Sequence, residues 1–128
     1  MDDKAQTTPQ KPERNVGIAH FFAAASYSIG GARRLWREAA FRQELLGLVA
    51  VGAVFLWAEA TLPEFLGLAI LSLMVLAVEA LNTAIEELVD NASPGWSEFA
   101  KNAKDMGSFA VMCMLVATGL FAAYVVFL

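Results

Sequence analysis

Three apolar runs fill this chain after residue 44, and the middle one is too short for the job it has to do. Phe65 to Val78 is fourteen residues, only about 21 Å of helix. A hydrocarbon core of about 30 Å requires roughly twenty residues. The helix must therefore continue through Glu79, Asn82 and Thr83 to Ile85–Glu86, carrying an acid and an amide into lipid. An acid there is costly and is kept for chemistry or for a buried structural pair. The expected spans are 45–62, 65–86 and 106–128.

Composition agrees. Of 128 residues, 58% are hydrophobic and the mean hydropathy is +0.54, against roughly 45–50% apolar in soluble domains. One domain is expected at this length. A net charge of −4 gives no encouragement to a nucleic-acid partner. Cys113 has no second cysteine, so neither a disulfide nor a cysteine metal site is expected. Residues 1–14 are polar and proline-containing with no apolar core, which reads as a flexible cytosolic tail and not a secretory signal. The membrane-embedded domain would then be 15–128.

Residues 15–37 read as an amphipathic helix lying on a membrane. Ile18, Phe21, Phe22, Ala25, Ile29, Ala32 and Trp36 recur at helical spacing, and Arg33, Arg34 and Arg37 suit anionic head groups. "REAAFRQE" (37–44) reads as a charged hinge, and Pro63-Glu64 as a turn. Residues 91–105 read as a polar connection. Seven of the nine lysines and arginines precede residue 43. With Lys101 and Lys104 in the connection, this places the N-terminus and that loop in the cytoplasm and the C-terminus outside.

On the second span, Glu79, Thr83, Glu86 and Asp90 share one helical face with Asn82 beside it, while Glu87 points elsewhere, toward solvent. Glu79 and Glu86 are about 10.5 Å apart along the axis. Oxygen-only ligation of this kind suits Mg²⁺ with phosphate oxygens, and no His or Cys spacing for zinc is present. A partly buried Glu79 is placed to accept a proton near neutral pH. The competing reading is a polar seam that holds helices together. Glu38 and Glu44 bracket "AAFRQ"; Glu38 is either a solvated helix-end acid or a partner of Glu86. Lys104 is either an interfacial lysine or a phosphate ligand. "SPGWSEF" (93–99) is a turn with an aromatic and has no Walker A pattern. His20, the single histidine, sits on the amphipathic segment.

"EAAFRQE" (38–44), "VEALNTAIEELVD" (78–90) and "AKDMGS" (103–108), with "AASYS" (24–28), resemble the signature stretches of the prokaryotic integral-membrane diacylglycerol kinases, in order. The resemblance covers roughly residues 18–128. It implies an all-α membrane protein, with an N-terminal surface helix and three transmembrane helices per protomer of a homotrimer in the bacterial inner membrane. It further implies ATP-dependent phosphorylation of diacylglycerol to phosphatidic acid. By that resemblance Glu79 is the catalytic base, Glu38 and Glu86 hold Mg²⁺, and Asn82 and Asp90 support the site. Tyr27, Gly95, Trp96, Ser97, Lys104 and Asp105 meet the nucleotide. Ser28, Arg33, Trp36, Arg42, Gln43, Glu44 and Ser108 line the lipid, with Glu79. This chain departs from the family in having His20 where an arginine is usual, and in a stretch before Glu38 that is one residue shorter. Undecaprenol kinase, of the same superfamily, is the nearest alternative. A proton or ion conduit through Glu79, Glu86 and Asp90 is one of a different class, and a membrane scaffold another.

Overall fold

The computed structural model describes residues 17–128; the expected tail, 1–14, lies outside them. The described chain is all helical: α1 (Ile18–Leu35), α2 (Ala39–Trp57), α3 (Leu62–Ala92) and α4 (Glu98–Phe127). It divides after Ala32 into two units. In the first, Gly17 takes a left-handed φ of 68°, and its carbonyl accepts from His20 N at 3.1 Å and Phe21 N at 3.4 Å to start α1. Ile18, Phe21, Phe22 and Ile29 are all exposed there.

In the second unit, Arg33–Leu128, three helices are long and apolar enough to cross a membrane. Most of their buried residues fall on a seven-residue spacing: Phe41, Leu48 and Phe55 on α2, and Leu68, Val75, Asn82 and Val89 on α3, where Glu79 and Thr83 are buried as well. Ala100 and Gly107, then Val111 and Thr118, do the same on α4. That repeat keeps one stripe of each helix facing its neighbours. α3 packs along α4, and α2 touches both. At one end Phe55 meets Phe65 (5.8 Å between centroids) and Phe121 (6.0 Å), so one aromatic from each helix closes the bundle. Phe121 fits there because it lies over Gly67, where a Cβ would stand 2.7 Å from its ring. Most other large apolar side chains face outward, Leu56, Leu73 and Leu120 among them, as lipid or further protein contacts require.

The helix ends differ from those the apolar runs suggest, and capping explains why. α2 begins at Ala39, so most of the expected hinge is helical; the chain turns instead at Trp36–Glu38, where Glu38 N donates to Leu35 O at 2.9 Å. Glu38 is the N-cap, but its side chain makes no capping bond and is left for other partners. α2 stops at Trp57, before residue 62, in a Schellman motif: Ala60 N donates to Phe55 O at 3.0 Å and Glu59 N to Leu56 O at 3.3 Å. Pro63 and Glu64 are not a turn. They form the first turn of α3, where Glu64 Oε2 accepts from Thr61 N (2.6 Å) and from the Thr61 hydroxyl (2.7 Å), and Pro63 lacks the N–H that would be unpaired. α3 runs on to Ala92, about 46 Å of helix. The polar stretch 91–105 is mostly helix too, since Ser97 Oγ accepts from Ala100 N at 3.2 Å and opens α4 at Glu98.

The Schellman motif places Glu59 at φ 54°, a left-handed position that costs a non-glycine residue roughly 1–2 kcal/mol. Glu59→Gly should therefore stabilise the protein, by up to about 1 kcal/mol once glycine's greater unfolded freedom is subtracted. A higher midpoint for thermal unfolding in detergent, followed by circular dichroism, is the expected result.

Candidate active site

The start of α2, the later turns of α3 and the start of α4 enclose a cavity of about 240 Å³. Glu38, Glu44, Glu79, Asn82, Thr83, Glu86 and Ser108 line it. Glu79 is only 4% exposed, and Asn82 and Thr83 are buried beside it. The seven-residue stripe of α3 puts Asn82 between Val75 and Val89, so the helix turns an amide into the α4 interface. Asn82 Nδ2 donates to Glu86 Oε1 at 3.3 Å. Asn82 Oδ1 and Glu44 Oε2 are both buried without a hydrogen-bond partner among the described residues. Unpaired buried oxygens are rare and call for an explanation.

Four carboxylates thus share one small cavity, and among the described residues the one ion pair any of them makes is Glu38 with Arg34. The Arg34 guanidinium bridges Glu38 and Glu87, with Nε donating to Glu87 Oε1 at 2.5 Å. Those two carboxylates, Glu38 foremost, hold its pKa above the ordinary arginine value. Glu87 is therefore not simply solvated. It ties the second span to the segment before the first.

Among the described residues no three acidic, His or Cys side chains converge as a ready metal cage. Mg²⁺ does not need one, since it usually takes one or two carboxylates and completes its shell with water and phosphate oxygens. The cavity's donors are hard oxygens with spare lone pairs and excess negative charge, so the residues fit that ion. Glu38 and Glu86 both reach the cavity with carboxylates to offer.

Asp90 leaves this group. It is exposed and pairs through Oδ1 with Lys104 Nζ at 2.5 Å. With Ser93, Gly95, Trp96 and Ser97 the pair lines a recess of about 410 Å³. Ser93 Oγ lies 2.8 Å from Ser97 Oγ, which ties the turn together, and Trp96 is 85% exposed. Asp105 is not in that recess. It pairs with Lys101 at 2.5 Å and borders a separate groove with Ser108.

Glu44, with Ala40, also opens onto an apolar groove of about 470 Å³ between α2 and α4, lined further by Gln43, Leu48, Val51, Leu115 and Thr118. Polar cavity and apolar groove meet at that carboxyl. Arg42 donates from Nη1 to Trp36 O at 2.8 Å, and Trp36 packs edge-on near Phe41 at 6.5 Å; Arg33 is exposed. His20, Tyr27 and Ser28 are exposed on α1 in the first unit, where Ser28 Oγ donates to Ala24 O at 3.1 Å.

Sequence reasoning missed Arg34 as the partner of Glu38, although their four-residue spacing on a helical path was the available signal. The bridge is half-exposed, so salt should screen it. Arg34→Ala is expected to lower the unfolding midpoint slightly at low ionic strength and not at all near 1 M NaCl, where the Debye length is about 3 Å. Melting curves at the two salt concentrations check this.

Known proteins share this arrangement of sequence. The profile of the family described as prokaryotic diacylglycerol kinase matches residues 26–127, a span that holds every candidate named above except His20. A diacylglycerol kinase of Sinorhizobium sp is 56% identical over 114 residues, covering 89% of this chain and 83% of the relative. One from Pseudomonas aeruginosa is 39% identical over 105 residues (80% and 85%), and one from Escherichia coli K12 is 36% identical over 102 residues (79% and 84%). The chain belongs to the prokaryotic diacylglycerol kinase family.

Proposed function

We propose that this lipid kinase transfers the γ-phosphate of ATP to the primary hydroxyl of diacylglycerol, giving phosphatidic acid by direct in-line displacement. The observation that carries the reading is the junction at Glu44, where a cavity holding the buried Glu79 meets an apolar groove. An amphiphile is the substrate such a junction suits: a polar head among oxygens and a hydrocarbon tail in the groove. Membership in the family adds the chemistry and the lipid class.

In this reading Glu79 accepts the proton of the lipid hydroxyl as its oxygen bonds to the γ-phosphorus and ADP departs. Asn82 holds Glu86 in position. Mg²⁺ held by Glu38 and Glu86 would offset the charge that builds on the transferred group. Lys104 exchanges Asp90 for phosphate oxygens, and Asp105 exchanges Lys101 for the nucleotide. The Gly95–Ser97 turn flanks the nucleotide. Arg33, Trp36, Arg42, Gln43, Glu44 and Ser108 border the lipid. The basic residues favour an inner-membrane orientation with the N-terminus and the 93–97 turn in the cytoplasm. The outward apolar faces suit a homotrimer surrounded by lipid.

Label from γ-labelled ATP should appear in phosphatidic acid when purified protein is given Mg²⁺ with diacylglycerol and, in parallel, with undecaprenol in mixed micelles. Label in undecaprenyl phosphate alone would overturn the lipid assignment while keeping the chemistry, and label in neither lipid would overturn the kinase reading. Glu86→Gln should raise the Mg²⁺·ATP concentration for half-maximal rate by about tenfold or more, measured by the same assay over a nucleotide series.

A further inference from the structure

Gly107 sits on the buried stripe of α4, opposite Asn82. A Cβ built there would collide with Asn82 Oδ1 and come within 3.3 Å of its Cγ, while remaining 3.8 Å from its Cα. The missing side chain of residue 107 is therefore the space that the amide of Asn82 occupies. In that space Oδ1 is buried without a hydrogen-bond donor among the described residues, and Nδ2 faces Glu86 Oε1 at 3.3 Å. Helix propensity alone disfavours glycine in the interior of a thirty-residue helix. Here the close approach decides the residue.

We propose that Gly107 is a positioning residue for Glu86: by leaving room for the Asn82 amide between α3 and α4, it fixes the hydrogen bond that aims the Glu86 carboxylate into the cavity. A methyl group at 107 forces Asn82 to rotate away or the helices to part, and either breaks the Asn82–Glu86 bond. This rests on the reading of Glu86 as the residue that holds Mg²⁺ with the nucleotide.

The test is a double-mutant cycle of Gly107→Ala and Asn82→Ala, with Glu86→Gln as reference. Binding of Mg²⁺ with a non-hydrolysable ATP analogue is measured by calorimetry, and thermal midpoints are taken in detergent. Each single variant should weaken binding about tenfold, and the double variant should match Asn82→Ala within about twofold, because nothing remains at 82 to displace. The thermal midpoint should fall for Gly107→Ala and recover in the double variant. In kinetics the loss should appear mainly in KM for the nucleotide. Wild-type binding by Gly107→Ala would overturn the proposal, as would multiplied losses in the double variant or failure of both the single and the double variant to fold. If Glu86→Gln itself binds like wild type, the reading of Glu86 fails instead.

Discussion

A carboxylate shut inside an apolar helix bundle determines what surrounds it. Glu79 is nearly inaccessible on α3, and burying such a group is expensive unless other groups or a ligand offset it. Around it the bundle assembles oxygens: Asn82, Thr83, Glu86, Glu44 and Glu38. No arginine or lysine reaches Glu79, Glu44 or Glu86 among the described residues; Arg34 stops at Glu38 and Glu87. A site built this way favours a cation and a transferable proton. It also has to lie at membrane depth, because the hydroxyl to be phosphorylated belongs to a lipid.

The bundle holds that cavity by an asymmetry between its ends. Phe55, Phe65 and Phe121 close one end with aromatic contacts from all three helices. Toward the other, α4 approaches α3 at Gly107 with an amide between them. The two close approaches, Gly67 with Phe121 and Asn82 with Gly107, are fifteen and fourteen residues apart along α3 and α4 respectively. Both intervals are about 21–22 Å of helix, so two antiparallel helices stay in register between them. One contact is apolar, while the other sets an amide beside the acidic cavity.

Much of this was legible in the sequence. The shortfall of apolar length after Val78 forced Glu79 and Asn82 into the span, and helical spacing grouped them with Thr83 and Glu86. Helix ends were less legible because hydropathy reports where lipid ends, not where the helix does. Ser97 and Thr61 start helices by capping, and Glu59 stops one by a backbone conformation usually left to glycine. Asp90 shares the spacing of Glu86 yet pairs with Lys104, since its partner is set by the turn that brings α4 back. The contact of Gly107 with Asn82 and the reach of Arg34 to Glu87 were not legible, because each depends on the residue opposite, which one sequence does not display.

In the proposed reaction Glu79 acts on the lipid hydroxyl rather than holding helices or nucleotide. Glu79→Gln keeps the shape and removes the proposed base. Phosphate transfer to diacylglycerol and binding of Mg²⁺ with a non-hydrolysable ATP analogue should be measured on the same preparation. Transfer reduced by about 10²–10⁴ with binding unchanged is the result this account predicts. Transfer that survives, or that falls only in step with nucleotide binding, would contradict it.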